Sequence, residues 1–207
     1  MKKNKITFLG IDGSGKSTLS KMLSEHLEKQ GYTITLVPFH KWIFADFFRD
    51  RLRLGKLIDR NRIQGRTSYY VASQKSLSAI IKPPIALIDN IVFYILNRPK
   101  NYNEIVIYDR FISATQIKLN ALNYHTNWMK FIWSNIKTDY TFYIDVDPKL
   151  SVLRQESRND PYTYPVEILE KERKEYLQLA EKNNYTIISN NRKLNDAFDQ
   201  ILKELTK

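Results

Sequence analysis

Short apolar runs alternate with longer stretches whose apolar residues recur every three or four positions, and this alternation continues along most of the chain. Lys5-Ile6-Thr7-Phe8-Leu9 predicts a first strand. Residues 16–30 predict a helix with Leu19, Met22, Leu23 and Leu27 on one face and Gly31 as its stop. Tyr32 to Val37 reads as a second strand ended by Pro38, and residues 39–103 read as mainly helical. Glu104 to Tyr108 predicts a third strand, followed by helices over 111–123 and 126–137. Tyr140 to Val146 predicts a fourth strand and 148–156 a helix. Residues 157–165 are rich in turn formers and read as a loop. A charged helix over 166–183, a fifth strand from Tyr185 to Ser189 and a helix over 194–206 complete the series. Strands alternating with helices imply an α/β fold with a mostly parallel sheet. Neither a repeat nor a linker interrupts the pattern, so residues 1–207 are expected to form one domain.

Composition narrows the class. With 207 residues and 43% hydrophobic content, the chain can bury a sizeable core and is not of disordered composition. It has no cysteine, which excludes disulfides and thiolate-bound zinc and fits a reducing compartment. His26, His40 and His125 have no zinc-motif spacing. No stretch reaches the roughly 18 apolar residues of a membrane span. The apolar run after Met1-Lys2-Lys3 stops at Asp12, unlike a signal peptide. A cytoplasmic protein without a membrane partner is the expectation.

Charge adds a partner class. The formal net charge is +11, and the whole excess lies in residues 1–100, which hold 18 Lys+Arg against 7 Asp+Glu. Seven bases (Arg49, Arg51, Arg53, Lys56, Arg60, Arg62 and Arg66) fall between positions 49 and 66 beside only Asp50 and Asp59. Such an excess points to an anion, either nucleic acid or small phosphates. The segment is equally readable as an acceptor-pocket lining or as a solvated helical face.

The chemistry enters at Gly10-Ile11-Asp12-Gly13-Ser14-Gly15-Lys16-Ser17-Thr18, which fits G-x-x-x-x-G-K-[ST]. Glycines let successive backbone N–H groups point into one concavity, and the following helix N-terminus adds its dipole. Lys16 can reach the β- and γ-phosphates of ATP, and the Ser17 hydroxyl can ligate Mg²⁺. The loop lies between a predicted strand and a predicted amphipathic helix, as that mechanism requires. By itself it leaves hydrolysis, phosphoryl transfer and mechanical work open.

The loop with its inner Asp12, together with Tyr108-Asp109-Arg110-Phe111, Thr141-Phe142-Tyr143-Ile144-Asp145-Val146-Asp147-Pro148 and the segment Arg154 to Arg158, resembles the thymidylate kinases. Agreement is good at 5–31 and 104–189 and poor at 38–69. The resemblance implies a three-layer P-loop kinase fold, a five-stranded parallel sheet flanked by helices. It also implies transfer of the γ-phosphoryl of ATP to a deoxynucleoside monophosphate, dTMP to dTDP, with Mg²⁺, and a homodimer. Asp109, at the carboxyl end of a strand beside the loop, is placed to organise Mg²⁺; otherwise it caps the helix that begins near Phe111. Arg110 is suited to clamp an acceptor phosphate in bidentate fashion, or else to pair with a neighbouring acid. By the resemblance Asp12 accepts a hydrogen bond from the sugar 3′-hydroxyl; the alternative is that it shapes the loop. Arg154 and Arg158, four residues apart before the turn-rich stretch, are read as closing over ATP in a lid at about 154–165, or as a solvated face. Arg173 could add to this patch, but inside the charge run from Glu167 to Glu175 it reads rather as surface.

Two departures fall on the acceptor side. Where thymidylate kinases carry Arg-Glu-Pro-Gly-Gly, this chain has Val37-Pro38-Phe39-His40-Lys41-Trp42, so Lys41 or Arg49 is the candidate replacement charge. Where they carry an aromatic residue and, four later, an arginine, this chain has Tyr70 and Gln74. Tyr70 can stack on a base and Gln74 can pair with a base edge; the alternative is a core tyrosine and a surface glutamine. Two other functions stay in view: a P-loop kinase acting on a deoxynucleoside or other small acceptor, and a nucleic-acid-binding NTPase. The second leans on the basic cluster with Trp42, Phe44, Phe47 and Phe48, but leaves little room for a separate nucleic-acid module.

Overall fold

In β1 (Lys5–Leu9), Ile6 and Phe8 face one side and Thr7 and Leu9 the other, and all four are buried. A strand buried on both faces belongs in the middle of a parallel sheet. This is its place in the computed structural model, which describes residues 4–38, 77–101, 103–129, 132, 136–160 and 163–206. The order is β2 (Thr33–Val37), β3 (Glu104–Asp109), β1, β4 (Tyr140–Asp145), β5 (Thr186–Ser189), with every pairing parallel. The register sets Phe8 opposite both Asp109 and Phe142, so the carboxyl ends of the three central strands share one edge.

Helices cover both faces. Ile6, Phe8, Ile107, Phe142 and Ile144 pack against Leu19, Leu23 and Leu27 of α1 (Lys16–Lys29) and against Ala197 and Ile201 of the last helix, Leu194–Leu205. On the opposite face Leu9 and Tyr143 meet Ala114 and Ile117 of the helix Ile112–Ala121 and Leu169, Tyr176 and Ala180 of the helix Val166–Asn183. Val106 and Tyr108 pack on Phe93 of the helix Leu77–Leu96. In chain order these are α1, α2 (77–96), α3 (112–121), α4 (Pro148–Ser157), α5 (166–183) and α6 (194–205). The three-layer α/β architecture expected from the sequence is the one observed.

Of the helix expected over 126–137, residues 126–128 and 136–137 are not helical, and 130, 131 and 133–135 lie outside the described residues; elsewhere the boundary differences are small. The helix expected over 111–123 stops at Ala121, and Tyr32, Val146 and Tyr185 fall outside the strands. α2 runs through Pro83 and Pro84. Each proline removes one backbone donor, and its ring crowds the carbonyl four residues earlier. His40, Lys41, Tyr70, Gln74 and the basic segment 49–66 lie outside the described residues.

Candidate active site

The loop between β1 and α1 closes over the shared carboxyl edge of the sheet. Its glycines are there because the chain comes too close to its neighbours for a side chain. Gly13 has φ +76°, and a Cβ on it would stand 2.8 Å from the Ser151 carbonyl oxygen. Gly15 has φ +93°, and a Cβ would stand 2.5 Å from Asn190 Nδ2. Both positions also need the left-handed backbone that glycine adopts without a steric penalty. α4 and the segment after β5 thus form the outer wall of the loop. Ser151 Oγ donates to the Asp12 carbonyl oxygen, as does Gln155 Nε2 at 3.3 Å, and Asn190 Nδ2 donates to the Ser14 carbonyl oxygen at 2.8 Å. Sequence reasoning missed all three supports. Only the i,i+4 spacing of Ser151 and Gln155 on one helix, and the position of Asn190 just past a strand's carboxyl end, were available as signals.

Lys16 is buried and bends back over the loop, its Nζ donating to the Ile11 carbonyl oxygen at 2.6 Å and to Ser14 Oγ at 3.3 Å. Burial pushes its pKa down to about 8; Asp109 and Glu172 oppose the shift, while Lys118 and Arg158 add to it. Ser17, one residue on, is exposed at the start of α1. Asp109 ends β3 with 7% exposure, and its Oδ1 is buried without a hydrogen-bond partner. It does not cap α3: the N-cap is Phe111, with no side-chain bond. A buried, unpartnered carboxylate oxygen facing the charge of Lys16 has the chemistry to take a cation or a water held by one.

Arg110 follows immediately, with φ +81°. Left-handed backbone costs a non-glycine residue on the order of 1 kcal/mol. Its N–H continues the β1–β3 ladder to the Phe8 carbonyl oxygen at 3.0 Å. Its guanidinium meets Asp12 Oδ1, while Lys118 Nζ of α3 donates to Asp12 Oδ2 at 2.8 Å. Of the alternatives left open for Arg110, the ion pair with an acid is therefore present. For Asp12, the main-chain oxygen shapes the loop while the carboxylate reaches away to two cations. Lys118 also pairs with the buried Glu172 of α5 at 2.6 Å and lies 3.9 Å from the centre of the Tyr164 ring. Nothing in the sequence marked Lys118, Glu172 or Tyr164.

On the far side of the loop, Arg154 Nη2 donates to the Asn190 carbonyl oxygen at 2.9 Å. Burial, and then the neighbouring charge of Arg158, lower its pKa. Arg158 is the C-cap of α4, more exposed, and pairs with Asp160 at 2.7 Å. Arg173 corrects the surface expectation. Its Nε and Nη2 donate to the two oxygens of Asp145 at 2.7 and 2.8 Å, fixing α5 to the end of β4. The charge run hid it because a bidentate partner 28 residues away leaves no local trace.

Comparisons with known proteins follow the same lines. The family described as Thymidylate kinase matches residues 8–201. A probable thymidylate kinase of Sulfolobus acidocaldarius is 28% identical over 211 residues, covering 96% of this chain and 92% of its own. Among solved structures, the thymidylate kinase of Ehrlichia chaffeensis superposes with TM-score 0.66 at 21% identity over the whole of both chains. The deoxyadenosine kinase of M. mycoides, solved with bound dATP, superposes with TM-score 0.60 at 20% identity over 98% of this chain and all of its own. The two superpositions speak to the fold alone.

Proposed function

The chain belongs to the thymidylate kinase family, and from that premise we propose that it transfers the γ-phosphoryl group of ATP to dTMP, giving ADP and dTDP. The observation that carries this reading is the contact between Asp12, inside the phosphate loop, and Arg110, at the end of β3. It joins the donor cradle to a guanidinium suited to an acceptor that already bears a phosphate. In the transfer an acceptor phosphate oxygen forms the new bond to the γ-phosphorus, and the bond from that phosphorus to the β,γ-bridging oxygen breaks. The attacking oxygen is already anionic, so positioning and charge neutralisation carry the rate and no general base is needed.

The loop N–H groups of Gly10, Gly13, Ser14, Gly15, Ser17 and Thr18 are suited to the β- and γ-phosphates, with Lys16 swinging from the Ile11 carbonyl oxygen to meet them. The orphaned Asp109 Oδ1 and the exposed Ser17 hydroxyl fit a hard divalent cation held jointly with substrate phosphates. Mg²⁺ there would neutralise charge on the transferring group. Arg110 holds the acceptor phosphate, and Asp12 accepts from the sugar 3′-hydroxyl. Arg154 and Arg158 supply the charge that the loop lacks, as part of a lid at about 154–165 in a single domain. Lys41, Tyr70 and Gln74 stay assigned to the acceptor on the sequence pattern alone.

The same reading includes a cytoplasmic homodimer. Absence of cysteine supports the compartment. Among the described residues no helix is long and apolar enough to cross a membrane. Ile81, Ile88 and Ile95, spaced seven apart on α2 and about half exposed, support a helix-on-helix subunit contact, which sedimentation would test. The decisive experiment for the activity is ADP release with ATP–Mg²⁺ against nucleosides, nucleoside monophosphates and non-nucleotide acceptors. Turnover driven by dTMP is expected; turnover driven only by nucleosides, or by DNA, would overturn the reading.

A further inference from the structure

The described residues around the phosphate loop include a lysine that the proposed reaction scheme leaves without a role. Lys118 sits in the last turn of α3, its side chain 18% exposed, between two carboxylates that come from different parts of the fold. Asp12 belongs to the loop after β1 and Glu172 to α5, and Lys118 spans them with contacts of 2.8 and 2.6 Å. Its ammonium also lies over Tyr164, at the end of the turn-rich segment. A compact ammonium with three donors, held by a buried anion behind and an aromatic face beside it, has little freedom to leave.

The effect falls on Asp12. Each of its two carboxylate oxygens is engaged once, Oδ1 by Arg110 and Oδ2 by Lys118. A carboxylate oxygen has about two lone-pair sites, so each oxygen keeps roughly one for a further donor. Without Lys118, the carboxylate is free to rotate and offer both oxygens to the Arg110 guanidinium, the preferred fork geometry. With Lys118 in place the carboxylate plane is set by two cations on opposite oxygens, and its remaining acceptor sites point in fixed directions.

We infer that Lys118 is a specificity-determining positioning residue: it fixes the carboxylate plane of Asp12 and so aims it at the hydroxyl of the acceptor's sugar. The inference rests on the assignment of Asp12 made under Proposed function. It distinguishes Lys118 from Lys16 and Arg110, which act on phosphates. Lys118 acts on the sugar, and only through Asp12.

The test compares two acceptors, dTMP and its 3′-deoxy analogue, in the wild type and in two variants. Because Lys118→Met alone leaves Glu172 buried and unpaired, the first variant is K118M/E172Q; the second, K118R, keeps the charge. Wild type is expected to favour dTMP. In K118M/E172Q, kcat/KM for dTMP should fall about 10-fold or more while that for the 3′-deoxy analogue changes less than about 3-fold, the signature of a coupled pair. KM for ATP should stay within about 2-fold, and K118R should recover part of the preference. Equal losses on both acceptors, or no loss, in a K118M/E172Q protein with an unchanged melting temperature would overturn the role of Lys118 alone. A wild type that turns over neither acceptor would overturn the dTMP reading, and this inference with it.

Discussion

Two carboxylates at the same edge of the sheet are held by arginines, and they are held differently. Asp145, at the end of β4, receives both Nε and Nη2 of Arg173 and the hydroxyl of Tyr143 at 2.9 Å. Asp12, after β1, receives one donor on each oxygen from two residues of different elements, and one of those, Lys118, is shared with Glu172. The first arrangement is a closed pair between two elements of the scaffold. The second is a chain of charges, Arg110–Asp12–Lys118–Glu172, in which the Asp12 carboxylate meets a different cation on each oxygen. The same residue types therefore build a fastener in one place and a receptor in the other. The difference lies in whether the arginine fork meets its carboxylate along both prongs.

The contrast is sharpest where the charges are removed. Lys16→Ala should abolish transfer to any acceptor, lowering kcat by at least about 100-fold, since it removes the loop's own cation; steady-state ADP release reads this. Arg110→Met should lower kcat/KM for dTMP by about 100-fold, as loss of a charged clamp worth about 3 kcal/mol, with little change in melting temperature. Arg173→Met should do the reverse. Losing the half-buried pair with Asp145 should cost about 2 kcal/mol, lowering the melting temperature by about 4–8 °C while KM values hold. Equal thermal losses in the two arginine variants would erase the distinction between receptor and fastener.

Two pH effects are smaller. Burial of Asp145 pushes its pKa up, but the hydrogen bonds from Arg173 and Tyr143 and the charge of Arg173 outweigh it, and the net shift is downward. A carboxyl lowered on folding contributes stability above its unfolded pKa and loses that contribution as pH falls through the folded value. The stability gap between wild type and Asp145→Asn, measured in urea, should therefore narrow below about pH 4, near the unfolded pKa of an aspartate. Lys16 is a lysine lowered to about 8 by burial, so in the free enzyme it loses its proton above that pH. The value of kcat/KM for ATP should decline from about pH 8 upward, because that parameter reports the free enzyme.

Much of this was legible without coordinates. The phosphate loop is contiguous, and its strand and helix neighbours announce themselves by period-two and period-3.6 patterns. Asp109 and Arg110 were singled out by the resemblance of Tyr108-Asp109-Arg110-Phe111 to the kinase family, and the place of Asp109 at the carboxyl end of an apolar strand beside the loop agreed with it. Lys118 did not: it lies in α3 between Ile117 and Leu119, both buried, and reads as the polar face of an ordinary helix. Arg173 was masked by its charged neighbours. Asn190, which the pattern left unremarked, is a buried brace between the loop and Arg154.

By itself, the sequence determined the α/β architecture, the phosphate cradle and the membership of the kinase family, because each depends on spacing within a few residues or on a long pattern of such spacings. The tertiary structure alone decided the company these residues keep. Asp12 meets Arg110 across 98 positions and Lys118 across 106, and Ser14 meets Asn190 across 176. Such contacts arise because parallel pairing brings the carboxyl ends of the strands, far apart in the chain, to one edge. A residue's own neighbours in sequence carry no record of that juxtaposition, so which charges become a fastener and which a receptor is settled only when the sheet closes.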